Sequence, residues 1–237
     1  ATLTAPEGAT VTTNVEGCEV EYKDGVYSVV DATRVAQIGE TKYQTLEAAF
    51  AAATAGQTVE LIAGSYEDIV IPAEFGGALA IGTCTINSIT NNSATAKIVI
   101  NGDVVVENEN GSAITGEYIN ISGITIEKVQ GGHYGEIGTD TKYYKDAPEG
   151  GAAIGSGYNG AVINLKNVTI DNALGGSKAA GIGARFWTGV TVNITDCNIA
   201  YVEGGATAAG IGASRVSEAQ TESDTTINIK NSTITAV

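Results

Sequence analysis

The sequence predicts an all-β fold: a right-handed parallel β-helix, a solenoid, with a short N-terminal capping helix and a small N-terminal β-hairpin segment. Three observations predict it. The first is a repeat in fixed order. Ala153-Ile154-Gly155 leads to Ile163-Asn164-Leu165-Lys166-Asn167-Val168-Thr169-Ile170, Gly181-Ile182-Gly183 leads to Val192-Asn193-Ile194-Thr195-Asp196-Cys197-Asn198-Ile199, and Gly210-Ile211-Gly212 leads to Ile227-Asn228-Ile229-Lys230-Asn231-Ser232-Thr233-Ile234. Repeats of this kind bury their apolar faces by stacking on one another. The second is the alternation of apolar and polar residues inside each phrase, which is the period of a strand. The third is a column of Gly123, Asn167, Asp196 and Asn231, each three residues after an asparagine. These residue types tolerate a left-handed backbone and predict a sharp corner between two short strands.

Taken in chain order, residues 1–34 form a hairpin appendage. Glu19-Val20-Glu21-Tyr22 and Val26-Tyr27-Ser28-Val29 flank a Lys23-Asp24-Gly25 turn. The β-helix is expected over 35–237. Val35-Ala36-Gln37-Ile38 is a short strand. A capping helix follows at about 45–55: Thr45 opens it, Leu46, Ala49, Phe50 and Ala53 make its apolar face, Glu47 suits the helix dipole, and Gly56 ends it. Val59-Glu60-Leu61-Ile62, Ile69-Val70-Ile71, Leu79-Ala80-Ile81, Cys84-Thr85-Ile86, Ile98-Val99-Ile100 and Val104-Val105-Val106 read as early strands, with Asn101-Gly102 at a corner. Clear repeats occupy 112–237, where Ile119-Asn120-Ile121-Ser122-Gly123-Ile124-Thr125-Ile126 is a fourth copy. From Asn120 the asparagines step by 44, 29 and 35 residues, so the variable lengths fall in loops. The Ala-Gly-Ile-Gly stretch fits a third strand where walls approach closely. A β-sandwich is the rival, but its strands are not copies of one another.

Ile38-Gly39-Glu40-Thr41-Lys42-Tyr43-Gln44-Thr45-Leu46-Glu47-Ala48-Ala49, followed by Gly56-Gln57-Thr58-Val59-Glu60-Leu61, resembles the opening of pectin-lyase-like right-handed β-helix modules of bacterial cell-surface proteins. The repeat phrases are similar to pectate-lyase-like adhesive modules. The resemblance covers roughly residues 35 to 237. It implies a helix that caps the open end of the core, and cell-surface attachment or carbohydrate contact. Pectate lyases carry acidic calcium ligands on the outside of adjacent coils. Here the outward column is Asn120, Asn164, Asn193 and Asn228, neutral amides that cannot supply such a site.

Composition narrows the function classes. The 237 residues include 31 glycines, 3 prolines and 6% aromatics, with a net charge of −15. That charge argues against nucleic acid and anionic membranes as partners. No apolar run reaches the length of a membrane span, so no membrane insertion is expected within this chain. Cys18, Cys84 and Cys197 are odd in number and far apart, which argues against a disulfide framework; Cys197 occupies an inward position and reads as a small buried hydrophobe. The lone His133 excludes a multi-histidine metal site, and no cofactor or metal is indicated. The alanine start, the lack of methionine and a last repeat without a polar cap suggest a removed leader and a longer polypeptide.

Candidate chemistry falls in two places. Glu127 and Asp171 are expected side by side on successive coils, as a weak catalytic pair, a cation site or two solvated charges. The ligand-binding candidates are aromatic. An insertion after Gly132 holds Tyr134, Asp140, Tyr143, Tyr144 and Asp146. The loop after the small strand carries Tyr158 in one coil, Arg185-Phe186-Trp187 in the next, then Arg215 and Ser217–Asp224. Tyrosines beside carboxylates suit sugars, and an aromatic pair beside Arg185 makes a ligand shelf; packing of these rings on the solenoid wall is the simpler alternative. The expected function is a non-catalytic, adhesin-like, extracellular or cell-surface module that binds carbohydrate, or a host or microbial surface protein, through loops on one side. The alternatives are a polysaccharide-active enzyme, glycoside hydrolase or lyase, and a structural stalk.

Overall fold

The structure is a computed structural model that describes residues 2–4, 8–14, 18–31, 33–82, 84–100, 105–107, 111–134, 150–185, 189–205, 207–213 and 224–237. It is predominantly β, its main sheet is built mostly of parallel strand pairs, and it has one short helix among the described residues. The N-terminal segment is a three-stranded antiparallel sheet. Asp24 (φ 51°) and Gly25 (φ 83°) make the tight turn between Cys18–Lys23 and Val26–Asp31. Two successive left-handed residues match the strand twist, which is why Asp-Gly serves here. Tyr22 and Tyr27 pair across the hairpin with ring centroids 4.6 Å apart. A third strand, Thr2–Thr4, joins the free edge of Val26–Asp31. Three residues are too few to show a period in sequence, so the pattern does not reveal this strand. Arg34 reaches back to form an ion pair with Glu19.

The main sheet starts with a second hairpin, Ala36–Ile38 and Thr41–Tyr43, around Gly39 (φ 57°). Ala36–Ile38 also pairs antiparallel with Thr58–Leu61. Between them lies the helix, Leu46–Ala52. The Thr45 Oγ1 accepts from the Ala48 N–H at 3.1 Å, and Ala49 and Phe50 are its buried residues. Phe50 meets Phe75 with ring centroids 4.9 Å apart, so the helix covers the end of the apolar interior. The helix stops before the expected Gly56. Ala53 is already extended (ψ 130°), and Gly56 (φ 82°) belongs instead to a turn closed by the Gln57 N–H on the Thr54 carbonyl at 3.0 Å.

Beyond this end every interstrand ladder is parallel, and each strand pairs with its counterpart about one repeat away. The strands are Thr58–Leu61, Gly64–Ile71, Ala78–Ile81, Cys84–Asn91, Lys97–Ile100, Val105–Glu107, Ile114–Gly116, Tyr118–Gln130, Ile154–Ser156, Ala161–Leu174, Ile182–Ala184, Val190–Thr195, Asn198–Glu203, Ile211–Gly212, Thr226–Lys230 and Thr233–Ala236. The register places like on like. Val59, Leu79, Ile98, Ile121, Leu165, Ile194 and Ile229 form one column. Ile69, Ile89, Ile114, Ile154, Ile182 and Ile211 form another. Except for Ile229, which is exposed in the last repeat, these residues face inward, and the buried ones belong to a single apolar core running from Ala36 to Val202. Each fully buried isoleucine contributes about 1.5–3 kcal/mol. Cys84 and Cys197 are buried in this core, Cys18 is half-buried, and all three are free. Burial pushes the Cys84 and Cys197 thiols up, as suits packing residues rather than nucleophiles.

The corner column behaves as its residue types require. Gly123, Asn167, Asp196 and Asn231 have φ of 70°, 54°, 55° and 49°. A second repeated feature is a tower of glycines. Gly132 donates to the Gly111 carbonyl at 2.8 Å, Gly151 to Gly132 at 3.2 Å, and Gly176 to Gly151 at 2.8 Å. A Cβ on Gly176 would lie 1.6 Å from the Gly132 oxygen, and one on Gly151 would lie 1.8 Å from the Gly111 carbonyl carbon. Backbone here packs on backbone, so no side chain fits.

Tyr66 ties the early stack to the covered end. Its hydroxyl lies 2.6 Å from the Val35 carbonyl oxygen and 2.5 Å from that of Ile62. Burial, followed by the nearby Cys84, pushes its pKa up to about 12.

Candidate functional site

The wall formed by the asparagine column is occupied with itself. Asn164 Nδ2 donates to Asn120 Oδ1 at 2.7 Å, Asn193 to Asn164 at 2.8 Å, and Asn228 to Asn193 at 2.8 Å. Asn120 closes the ladder on the Ala96 carbonyl at 3.2 Å. The spacing of paired strands, about 4.8 Å, is what lets one amide reach the next. The sequence reads this column as neutral and outward. The structure adds that Asn120, Asn164 and Asn193 are half-buried and partnered, so the column stabilises the stack and offers little to a ligand.

Glu127 and Asp171 do stand side by side, since Ile126 pairs with Ile170 and Lys128 with Asn172. Both are exposed, at a bend where two outward residues separate buried Ile126 from buried Val129. The same place in the next repeat is Ala200, so the acidic column is two residues long. Among the described residues no hydrogen bond engages either carboxylate, and no group of three or more metal-ligating side chains occurs. Nothing there holds the carboxylates in a defined orientation, which a retaining pair requires.

The same bend carries a better-defined cluster one step further along. Tyr201 and Glu203 both point away from the core, because Val202 between them is buried. Gln130, Leu174 and Glu203 share one register column. Tyr134 follows Gln130 after the glycine pair Gly131-Gly132 and a left-handed His133 (φ 57°). From there it reaches across the middle repeat. Its hydroxyl donates to Glu203 Oε2 at 3.1 Å, and the Tyr201 hydroxyl donates to the same oxygen at 2.8 Å. Burial, then the hydrogen bond to Glu203, raises the Tyr134 pKa. For Tyr201 the hydrogen bond to Glu203 comes first and burial second. Both phenols therefore stay protonated and keep donating at neutral pH. The sequence singled out Tyr134 and missed Tyr201 and Glu203. The signal was present: Lys128, Asn172, Tyr201 and Ala236 share a register column with four different residues, whereas the asparagine column repeats one.

A second corner lies between the small strand and the asparagine strand. Tyr158 is 47% exposed there. Its N–H rests on Ser156 Oγ at 3.0 Å. Asn159 Oδ1 accepts from Gly189 at 3.1 Å and Gly160 donates to Gly189 at 2.7 Å, so the loops of successive repeats are laced together. Tyr118, also exposed, opens the neighbouring strand. Arg185 is half-buried, and its N–H donates to the Ser156 carbonyl at 2.8 Å. The small stretch forms the third strand read from sequence, Ile154–Ser156, Ile182–Ala184 and Ile211–Gly212 in parallel register, and its entry adds a feature that alternation does not show. Ala180 donates to the Ala184 carbonyl at 3.1 Å and Ala179 bridges Arg185 antiparallel, so the chain doubles back around Gly181-Ile182-Gly183. His133 serves through its backbone, its carbonyl accepting from Ser177 at 3.2 Å. Tyr143, Tyr144, Phe186, Trp187, Arg215, Asp140 and Asp146, residues 217–223, and the Asn101-Gly102 corner lie outside the described residues.

No helix among the described residues is long and apolar enough to cross a membrane. Comparison of the chain with known protein families, with curated proteins and with solved structures found no match.

Proposed function

We propose that residues 35–237 form a right-handed parallel β-helix that serves as a non-catalytic, adhesin-like module of a bacterial cell-surface protein, of the pectin-lyase-like kind. It binds a glycan or a surface-protein partner through the turns on one side. Parallel register between like residues supports the solenoid reading. A right hand is the usual sense for parallel strands joined by crossovers. One observation carries the binding role. Among the described residues the exposed large aromatic side chains are Tyr118, Tyr134, Tyr158 and Tyr201, all at turns, bends or strand openings, whereas the asparagine wall is consumed by its own hydrogen bonds. Tyrosine combines an apolar face with a polar tip, which suits a recognition surface. The test is a broad array of plant, mucin-type and microbial glycans together with purified extracellular-matrix proteins. Saturable binding is expected, and absence of binding to every class contradicts the proposal.

The register that places Glu127 beside Asp171 favours a second reading, a polysaccharide-active enzyme. Digests of neutral and acidic polysaccharides, run with Glu127→Gln and Asp171→Asn variants, decide it. Wild-type turnover lost in both variants is its signature, and no turnover on the panel removes it.

A further inference from the structure

We infer that Tyr134, Tyr201 and Glu203 form a saccharide subsite for one uncharged hexopyranose unit, an inference that rests on the glycan form of the function proposed above. Three features lead there. The two phenol hydroxyls come from repeats that are not adjacent, yet they converge on one carboxylate oxygen, Glu203 Oε2. Among the described residues no donor reaches the other oxygen, Oε1. A half-buried carboxylate fixed through one oxygen, with the other open, is an acceptor for a sugar hydroxyl pair. Tyr134 and Tyr201 are each 37% exposed, which leaves apolar surface for sugar C–H groups beside that acceptor. Asn172 shares the register position of Tyr201 in the preceding repeat, where its Nδ2 donates to the Glu127 carbonyl at 3.4 Å.

Charge selects the class of sugar. The Glu203 carboxylate accepts from both phenol hydroxyls, Asp171 adjoins Asn172 on the same strand, and the whole chain carries −15. Uronates, sialic acids and sulfated sugars would bring a second negative charge against this carboxylate, where like charges cost affinity. A neutral hexose brings only hydroxyls and C–H faces. The arrangement is also specific to three consecutive repeats. It needs the left-handed turn after Gly132 in the first and Tyr201 with Glu203 in the third, with the second between them.

The test titrates the full chain with neutral gluco-, galacto- and manno-oligosaccharides, and with oligogalacturonate, by calorimetry. Wild type, Glu203→Ala, Tyr201→Ala, Tyr201→Phe and Tyr158→Ala are compared, with each melting midpoint measured alongside. The expected result is binding of a neutral series that falls at least tenfold in Glu203→Ala and Tyr201→Ala. Tyr201→Phe, which keeps the ring and removes one hydroxyl, should fall several-fold at an unchanged midpoint. That variant decides the matter if an alanine variant does not fold. Neutral-sugar binding that is unchanged in the Glu203 and Tyr201 variants but lost in Tyr158→Ala overturns the subsite and leaves the proposed function standing. Preference for oligogalacturonate overturns it as well. A wild-type chain that binds no sugar overturns both the subsite and the glycan form of the function.

Discussion

The asparagine wall and the tyrosine corner are made from the same repeated strands, yet they resolve their polar groups in opposite ways. On the wall, each repeat presents the same amide at the same register, and each amide is answered by the one beside it. At the corner, the register column changes at every repeat, and the polar groups meet across repeats that are not neighbours. Repetition therefore satisfies the wall internally, while variation leaves the corner with an acceptor and two rings facing solvent. In a stack of this kind specificity has to sit where the copies differ.

The largest expected effect breaks the repeated side of that comparison. Gly151→Val puts a side chain where a Cβ already lies 1.8 Å from the Gly111 carbonyl carbon. The backbone tower has to open, and the expected cost is about 5 kcal/mol or more, read as loss of soluble folded protein or of a cooperative melt. A normal melting curve for this variant would mean that the strands are not stacked as described. Asn164→Ala removes two rungs of the ladder at once and leaves Asn120 Oδ1 and Asn193 Nδ2 without partners. The expected loss is about 1–3 kcal/mol in urea unfolding. A loss no larger than that of an exposed threonine, such as Thr125→Ala, would make the ladder incidental.

The smallest effect sharpens the comparison at the covered end. The folded chain holds the Tyr66 phenol proton more tightly than the unfolded chain does, because its pKa is raised from 10.0 to about 12. Its contribution to stability is therefore complete below the unfolded value and is lost as pH rises through that interval. The melting midpoint should decline across this range, and the decline should flatten in Tyr66→Phe. An identical pH profile in the two proteins would remove Tyr66 as the cause.

The contrast also explains what was legible in the sequence. The strands, the left-handed corner and the inward place of Cys197 could be read because each rests on a local rule of period or backbone tolerance, repeated often enough to stand out. The glycine tower was harder. Gly111, Gly132, Gly151 and Gly176 are unevenly spaced, and only the stacked backbone shows that they touch. The doubling-back at Gly181-Ile182-Gly183 depends on a single antiparallel bridge, which alternation does not report. At the site, Tyr134 drew notice through an aromatic-rich insertion. Its acceptor, Glu203, lies 69 residues away, and their meeting depends on how far a tyrosine reaches across the intervening repeat. Glu127 and Asp171 were correctly placed together, but position alone gave them no partners.

The most direct measurement compares corner with wall in one binding experiment. Once a saturating ligand is found on the array, its affinity is measured for a corner variant, Tyr201→Ala with Glu203→Ala, and for a wall variant, Asn193→Ala with Asn228→Ala. The account predicts a loss of tenfold or more at the corner and wild-type affinity for the wall variant. The reverse pattern, with binding lost on the wall and kept at the corner, would contradict it.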